Sequence, residues 1–248
     1  DHDGQGQEAE ACHAVLKAPL GNTGSNEHDA ADAAEDGARF TAVVMLTNVS
    51  LPADAFSLDG IRAVLALEGH TLTLSAPMTL EQSTGNLTIR DSTSSGKITG
   101  QALTVKGGRL TVEAGCFENT LDLQDYNVTL FGGTFARITS EDAAYPRAAL
   151  AFRTAYQQAD GQLIRRSDIT PTLENVAVVF CPHDEIDGIT CRICGTKMVA
   201  KVAKDDTLRY FADFEDAAQY AATLEGSAIT LLRDALWSSM GLPTGTYT

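Results

Sequence analysis

Leu103-Thr104-Val105-Lys106-Gly107-Gly108-Arg109-Leu110-Thr111-Val112 writes the same structural unit twice. An apolar–Thr–apolar triplet leads into a Lys-Gly-Gly turn, and the triplet then returns. Alternation over three residues places two apolar side chains on one face of an extended chain and the threonine on the other. Leu, Val and Thr suit the pleated, half-buried surface that such a strand presents. Gly107-Gly108 is the turn signal between the two strands.

Outward from this stretch the pattern continues. Leu72-Thr73-Leu74 and Leu87-Thr88-Ile89 precede it, while Leu121-Asp122-Leu123 and Val128-Thr129-Leu130 follow. Turn signals separate them at Ser83-Thr84-Gly85-Asn86, Ser94-Ser95-Gly96 and Phe131-Gly132-Gly133. Leu103 to Leu121 and Leu110 to Val128 are each 18 residues, and Leu87 to Leu110 is 23. Short strands recurring at periods near 20 mark a solenoid, in which one coil cannot bury its inward side chains until a neighbour stacks on it. Residues 40–138 are therefore expected to form four or five rungs of a parallel β-helix. The competing arrangement, a sandwich of hairpins, favours longer strands joined by two-residue turns.

The flanks read differently. Residues 1–37 are acidic, with Lys17 the one Lys or Arg, and suit a linker or N-terminal cap. Residues 38–180 are expected to be the β-helix domain, with 141–166 a hairpin or a terminal cap closing it and 176–180 a last apolar strand. Residues 181–197 hold a Cys/His knuckle, and 198–248 read as a short α/β segment that starts a second repeat. In that segment strands are expected over 198–202 and 208–211. Asp213 is placed to cap a helix over 214–224, with Glu215 and Asp216 in its favourable first turn. The helix should bury Phe214, Ala217, Ala218, Ala221 and Leu224. A strand over 228–232 echoes 41–46.

Composition narrows the functions. The chain has 248 residues, enough for a sizeable core, and 44% hydrophobic content, which argues against wholesale disorder. A net charge of −15 repels phosphate backbones and disfavours nucleic acid as a partner. No window reaches the roughly 18 apolar residues that mark a membrane span, so membrane insertion is not expected. The chain opens at Asp1 and closes at Gly245-Thr246-Tyr247-Thr248, and is expected to be part of a longer protein.

Four potential metal ligands fall within 14 residues: Cys181-Pro182-His183 and Cys191-Arg192-Ile193-Cys194-Gly195, a C-x-H-x7-C-x2-C spacing. Zinc favours four such ligands in a tetrahedron, and Cys-x-x-Cys brings two thiolates together across one turn. Structural zinc on Cys181, His183, Cys191 and Cys194 is the expectation. A Cys191–Cys194 or Cys181-centred disulfide, or unligated thiols, are the alternatives. Four protein ligands leave no open position for water, which disfavours catalytic zinc. Cys12 has His13, His2 and His28 near it in sequence, and a second metal site competes there with a plain exposed thiol. Cys116 is expected to be buried in a rung.

Leu67-Glu68-Gly69-His70-Thr71-Leu72, followed by Leu87-Thr88-Ile89-Arg90-Asp91-Ser92 and Gly96-Lys97-Ile98, resembles β-helix repeat modules of large surface proteins from gut Gram-positive bacteria. Gly132-Gly133-Thr134-Phe135, the Asn175-Val176 lead-in to Cys181, the knuckle and the restart from Tyr210 to Leu232 also fit, and Glu68 stands where the family usually has Asn. The resemblance covers roughly 40–232. It implies a right-handed parallel β-helix and a cell-surface or adhesin-like role, and a non-catalytic, secreted or cell-surface scaffold or adhesion module is the leading expectation. A host or dietary glycan, or a surface protein, is the partner expected of such a module.

The alternative is a carbohydrate-active β-helix enzyme, a lyase or glycosidase using paired carboxylates. Asp122 and Asp125 flank one triplet, with Arg137 and Glu141-Asp142 about a rung later. Outward positions on a solenoid are polar in any case. No G-x-S-x-G, phosphate loop or paired-His helix motif is present. His70, in its Gly-His-Thr turn, reads as a turn residue satisfied by backbone or as a surface contact.

Overall fold

The structure is a computed structural model and describes residues 39–52, 61–81 and 85–234. It is mainly β, with parallel sheets. The chain passes alternately between two of them. In order come β1 (Arg39–Val44), β2 (Val49–Leu51), β3 (Ile61–Ala66), β4 (Thr71–Leu74), β5 (Met78–Leu80), β6 (Asn86–Arg90), β7 (Lys97–Gly100) and β8 (Leu103–Val105). They continue with β9 (Arg109–Val112), β10 (Cys116–Leu123), β11 (Val128–Leu130) and β12 (Thr134–Ser140). One sheet has the order β1-β3-β6-β9-β11; the other runs β2-β4-β7-β10-β12, with β5 and β8 joining it at β10.

Among the described residues every pairing within 39–140 is parallel, and the register follows the sequence repeat. Leu87 pairs with Leu110, Leu110 with Val128, and Leu103 with Leu121. Like therefore sits on like. Leu72, Leu74, Leu87, Ile89, Leu103, Val105, Leu110, Val112, Leu121, Leu123, Val128 and Leu130 are all buried in one shared core. The intervening positions face outward, and some bond along the ladder. Thr73 and Thr99 hydroxyls lie 3.1 Å apart, and Thr139 Oγ1 donates to Asp122 at 2.8 Å.

Asp91 holds two successive turns together. In the turn 67–70, His70 N donates to Leu67 O at 2.9 Å, and Glu68 and Gly69 both have positive φ, as a type I′ turn requires. Asp91, only 5% exposed, accepts from Gly69 N at 2.9 Å, Gly96 N at 2.7 Å and Thr93 Oγ1 at 3.0 Å. Burial pushes this carboxyl up, but the hydrogen bonds from Gly96, Gly69 and Thr93 outweigh it and hold it below its ordinary value.

Past β12 the parallel pattern stops. α1 (Ala144–Ala149) leads to β13 (Thr154–Gln158), and β14 (Thr172–Phe180) pairs antiparallel with both β12 and β13. Tyr156 is fully buried, and its hydroxyl donates to Pro146 O at 2.9 Å. With Ala149, Ile169, Leu173, Val176 and Val178 it extends the same core.

After two short strands, β15 (Ile186–Asp187) and β16 (Thr190–Cys191), the chain builds a separate antiparallel sheet. It consists of β17 (Ala200–Lys204), β18 (Thr207–Phe211) and β19 (Ala228–Leu231), with α2 (Phe214–Ala222) between β18 and β19. Asp213 caps α2 by accepting from Glu215 N at 2.8 Å; Ala217 and Ala218 are buried, while Phe214 and Ala221 are partly buried against them. Leu224 lies beyond the helix end. Within the described residues β19 pairs with β17 and joins neither parallel sheet, since the β17–β18 hairpin offers it a nearby free edge. Arg153 reaches α2 through Asp216 at 2.8 Å. Among the described residues no helix is long and apolar enough to cross a membrane.

Candidate metal centre

β14 delivers Cys181 into the loop, where its amide donates to Arg153 O at 2.8 Å. The β15–β16 hairpin delivers Cys191. Gly195 N then donates to Cys191 O at 2.8 Å, and Gly195 adopts φ +76°, turning the chain so that Cys194 faces back. A side chain at 195 would also meet Arg166 Cδ at 2.7 Å. The left-handed backbone favours glycine there, and any side chain would also have to displace that of Arg166.

Cys181, Cys191 and Cys194 are buried, and their sulfurs all lie within 4.8 Å of one another. Cys181 and Cys191 Sγ are 3.6 Å apart, and all three thiols are free. A tetrahedral site with metal–sulfur bonds of about 2.3 Å has sulfur–sulfur edges of about 3.8 Å. The cluster therefore has the spacing of a metal-binding set. His183 does not share that mutual spacing, but it adjoins the cluster. It is 7% exposed, and its Nε2 has no hydrogen-bond partner. An unpaired buried ring nitrogen is costly unless something else engages it.

Electrostatics agree. Cys194 is held far below the ordinary thiol range: hydrogen bonds with Cys181 and Cys191 favour its thiolate, burial opposes it, and His183 and Thr196 add support. Cys181 is pushed up by its hydrogen bonds with Cys191 and Cys194 and by burial. Three thiols this close cannot all ionise unaided, whereas a divalent cation among them allows it.

Two neighbours of the cluster were not legible beforehand. Thr196 Oγ1 lies 3.2 Å from Cys194 Sγ, and Arg166 packs against Gly195, with its Nη1 3.5 Å from Cys194 O. Thr196 carries no distinctive spacing, and Arg166 is 28 residues from Cys194 in sequence.

The remaining candidates are dispersed. Cys116 opens β10 and is half-buried rather than buried, because it lies on the outward register opposite Lys97 and Thr134. His70 is half-buried, with its amide closing the 67–70 turn. Asp122 bonds Thr139 and Gln124, and Asp125 bonds Tyr126 N and Asn127. Arg137 stands 3.9 Å from Glu174, and Asp142 accepts from Ala144 N. Glu141 is exposed. Cys12, His2, His13 and His28 lie outside the described residues. Comparisons of the chain with family models, curated proteins and solved structures return no match.

Proposed function

We propose that this chain is a non-catalytic scaffold or adhesion module of a secreted or cell-surface bacterial protein: a right-handed parallel β-helix stapled by zinc at its C-terminal junction. The supporting observation is where the thiol cluster packs. Its apolar neighbours include Ala155 of β13 and Ala212 beside α2, so a metal there ties the elements that follow the parallel sheets to the small C-terminal sheet. Residues 38–180 act as the β-helix domain with its cap and 181–197 as the knuckle, followed by the small antiparallel sheet.

The zinc ligands are Cys181, Cys191, Cys194 and, through its unpartnered Nε2, His183. When bound, zinc neutralises the thiolates and converts its binding free energy into local folding free energy. The solenoid reading draws support from the parallel, in-register ladders and the single core they share. The scaffold reading draws on the outward carboxylates, which are engaged in ladder and turn bonds.

Elemental analysis of protein purified without chelator tests the staple, with about one zinc per chain expected. Metal-free protein whose knuckle is ordered, or a disulfide among the three cysteines, overturns it. Release of reducing ends from polysaccharide overturns the non-catalytic reading.

A further inference from the structure

Beside the β13–β14 hairpin the surface holds a groove of about 580 Å³ that no role above uses. Its shape follows from pairing. β13 pairs with β14 only from Val176 onward, so 172–175 keeps one edge without a strand partner among the described residues. The chain between β13 and β14 arches out and returns, leaving a trough between that arch and the open edge. Glu185 of the knuckle closes one side, tied to Arg165 at 2.6 Å. A second depression, of about 340 Å³, shares Gln158 and Val176 with the first and extends it toward Cys116 and Glu118.

The lining chemistry selects a ligand. Gln158, Gln162 and Thr172 line the groove and are exposed, with no side-chain hydrogen bond to protein among the described residues, so a ligand there would meet all three. Each offers both a donor and an acceptor, the combination that sugar hydroxyls, themselves donors and acceptors, match. Charge in the groove is largely spent internally: Arg165 on Glu185, Glu174 facing Arg137 at 3.9 Å, and Asp168 accepting from Ser167 Oγ at 2.8 Å. With a net charge of −15 the protein repels anionic polymers. The joined depressions suit a chain longer than one ring. The exposed lining is mostly polar in the larger groove and mostly apolar in the second depression, whereas a strand-adding peptide would want apolar pockets for alternate side chains along the open edge at 172–175 itself.

We infer that this groove is a binding site for a neutral oligosaccharide, recognised by Gln158, Gln162 and Thr172. The inference rests on the surface-module reading and gives that module its ligand class. It is tested with the full chain on an array of neutral and acidic oligosaccharides. Calorimetric titration of the best-bound neutral compound into parent and a Gln162→Ala/Thr172→Ala variant follows. Neutral glycans should be retained and acidic ones not. The variant should bind at least about tenfold more weakly, with unchanged melting midpoint and zinc content. Equal binding by the variant, or preference for acidic glycans, overturns the assignment. A peptide array that binds through the same residues overturns the saccharide class. A chain that binds no glycan yet keeps its metal-dependent fold overturns the groove and leaves the scaffold reading standing.

Discussion

Replacing Asp91 with Ala and with Asn tests how the N-terminal turns are held. The two carboxylate oxygens are divided: Oδ1 serves Gly69 N and Thr93, while Oδ2 serves Gly96 N alone. Alanine leaves both glycine amides without acceptors. Hydrogen bonds to a charged group are worth about 1.5–3 kcal/mol each, so two lost bonds amount to about 3–6 kcal/mol. Water entering past the exposed Thr93-Ser94-Ser95 rim recovers part of this, and about 3 kcal/mol is expected. Asparagine is the sharper probe. Whichever way its amide turns, an NH2 faces a backbone N–H, so it should lose about 2 kcal/mol despite its identical shape.

Urea denaturation at pH 7 measures both losses. Because the folded carboxyl titrates below its ordinary value, its stabilisation is present above the unfolded pKa and disappears as pH falls through the folded one. The gap between parent and Asp91→Ala should therefore close in acid, below about pH 4. An asparagine variant within about 0.5 kcal/mol of the parent, or a gap that persists in acid, refutes the reasoning.

Cys194→Ser should remove zinc and raise hydrogen exchange over 176–211 while leaving 61–138 protected, since stacked units are stabilised chiefly by their neighbours; uniform loss across all strands would show that the knuckle is not peripheral. Glu68→Asn puts a residue tolerant of left-handed backbone at φ +48° and should gain a few tenths of a kcal/mol in urea denaturation. A loss above about 1 kcal/mol would mean that the carboxylate, which accepts from Ser92 Oγ, outweighs the backbone preference. Tyr156→Phe strands Pro146 O in the core and should cost about 1–2 kcal/mol by chemical denaturation; a neutral result means that Pro146 O finds another donor.

The core and its register were legible because they rest on local alternation. A Leu-Thr-Leu triplet has one burial outcome wherever apolar faces must meet, and equal spacing brings Leu103 to Leu121 and Leu110 to Val128. The α2 cap was legible for the same reason: Asp213 and the Ala face sit within one helical turn of what they serve. Spacing also gathered Cys181, Cys191 and Cys194, since a Cys-x-x-Cys turn needs little beyond Gly195.

Strand direction and long-range neighbours were decided only in three dimensions. An alternating strand reads the same in parallel and antiparallel pairing, so β14 turning back against β12, and β19 choosing β17, depended on which edges other elements left free. Cys116 kept its strand but not its burial, because an outward register position in β10 is covered only as far as its neighbours reach. Arg166 comes to Cys194, and Glu185 to Arg165, across 28 and 20 residues. Closure of the chain past the last parallel strand sets those contacts, and no periodicity in the sequence encodes it.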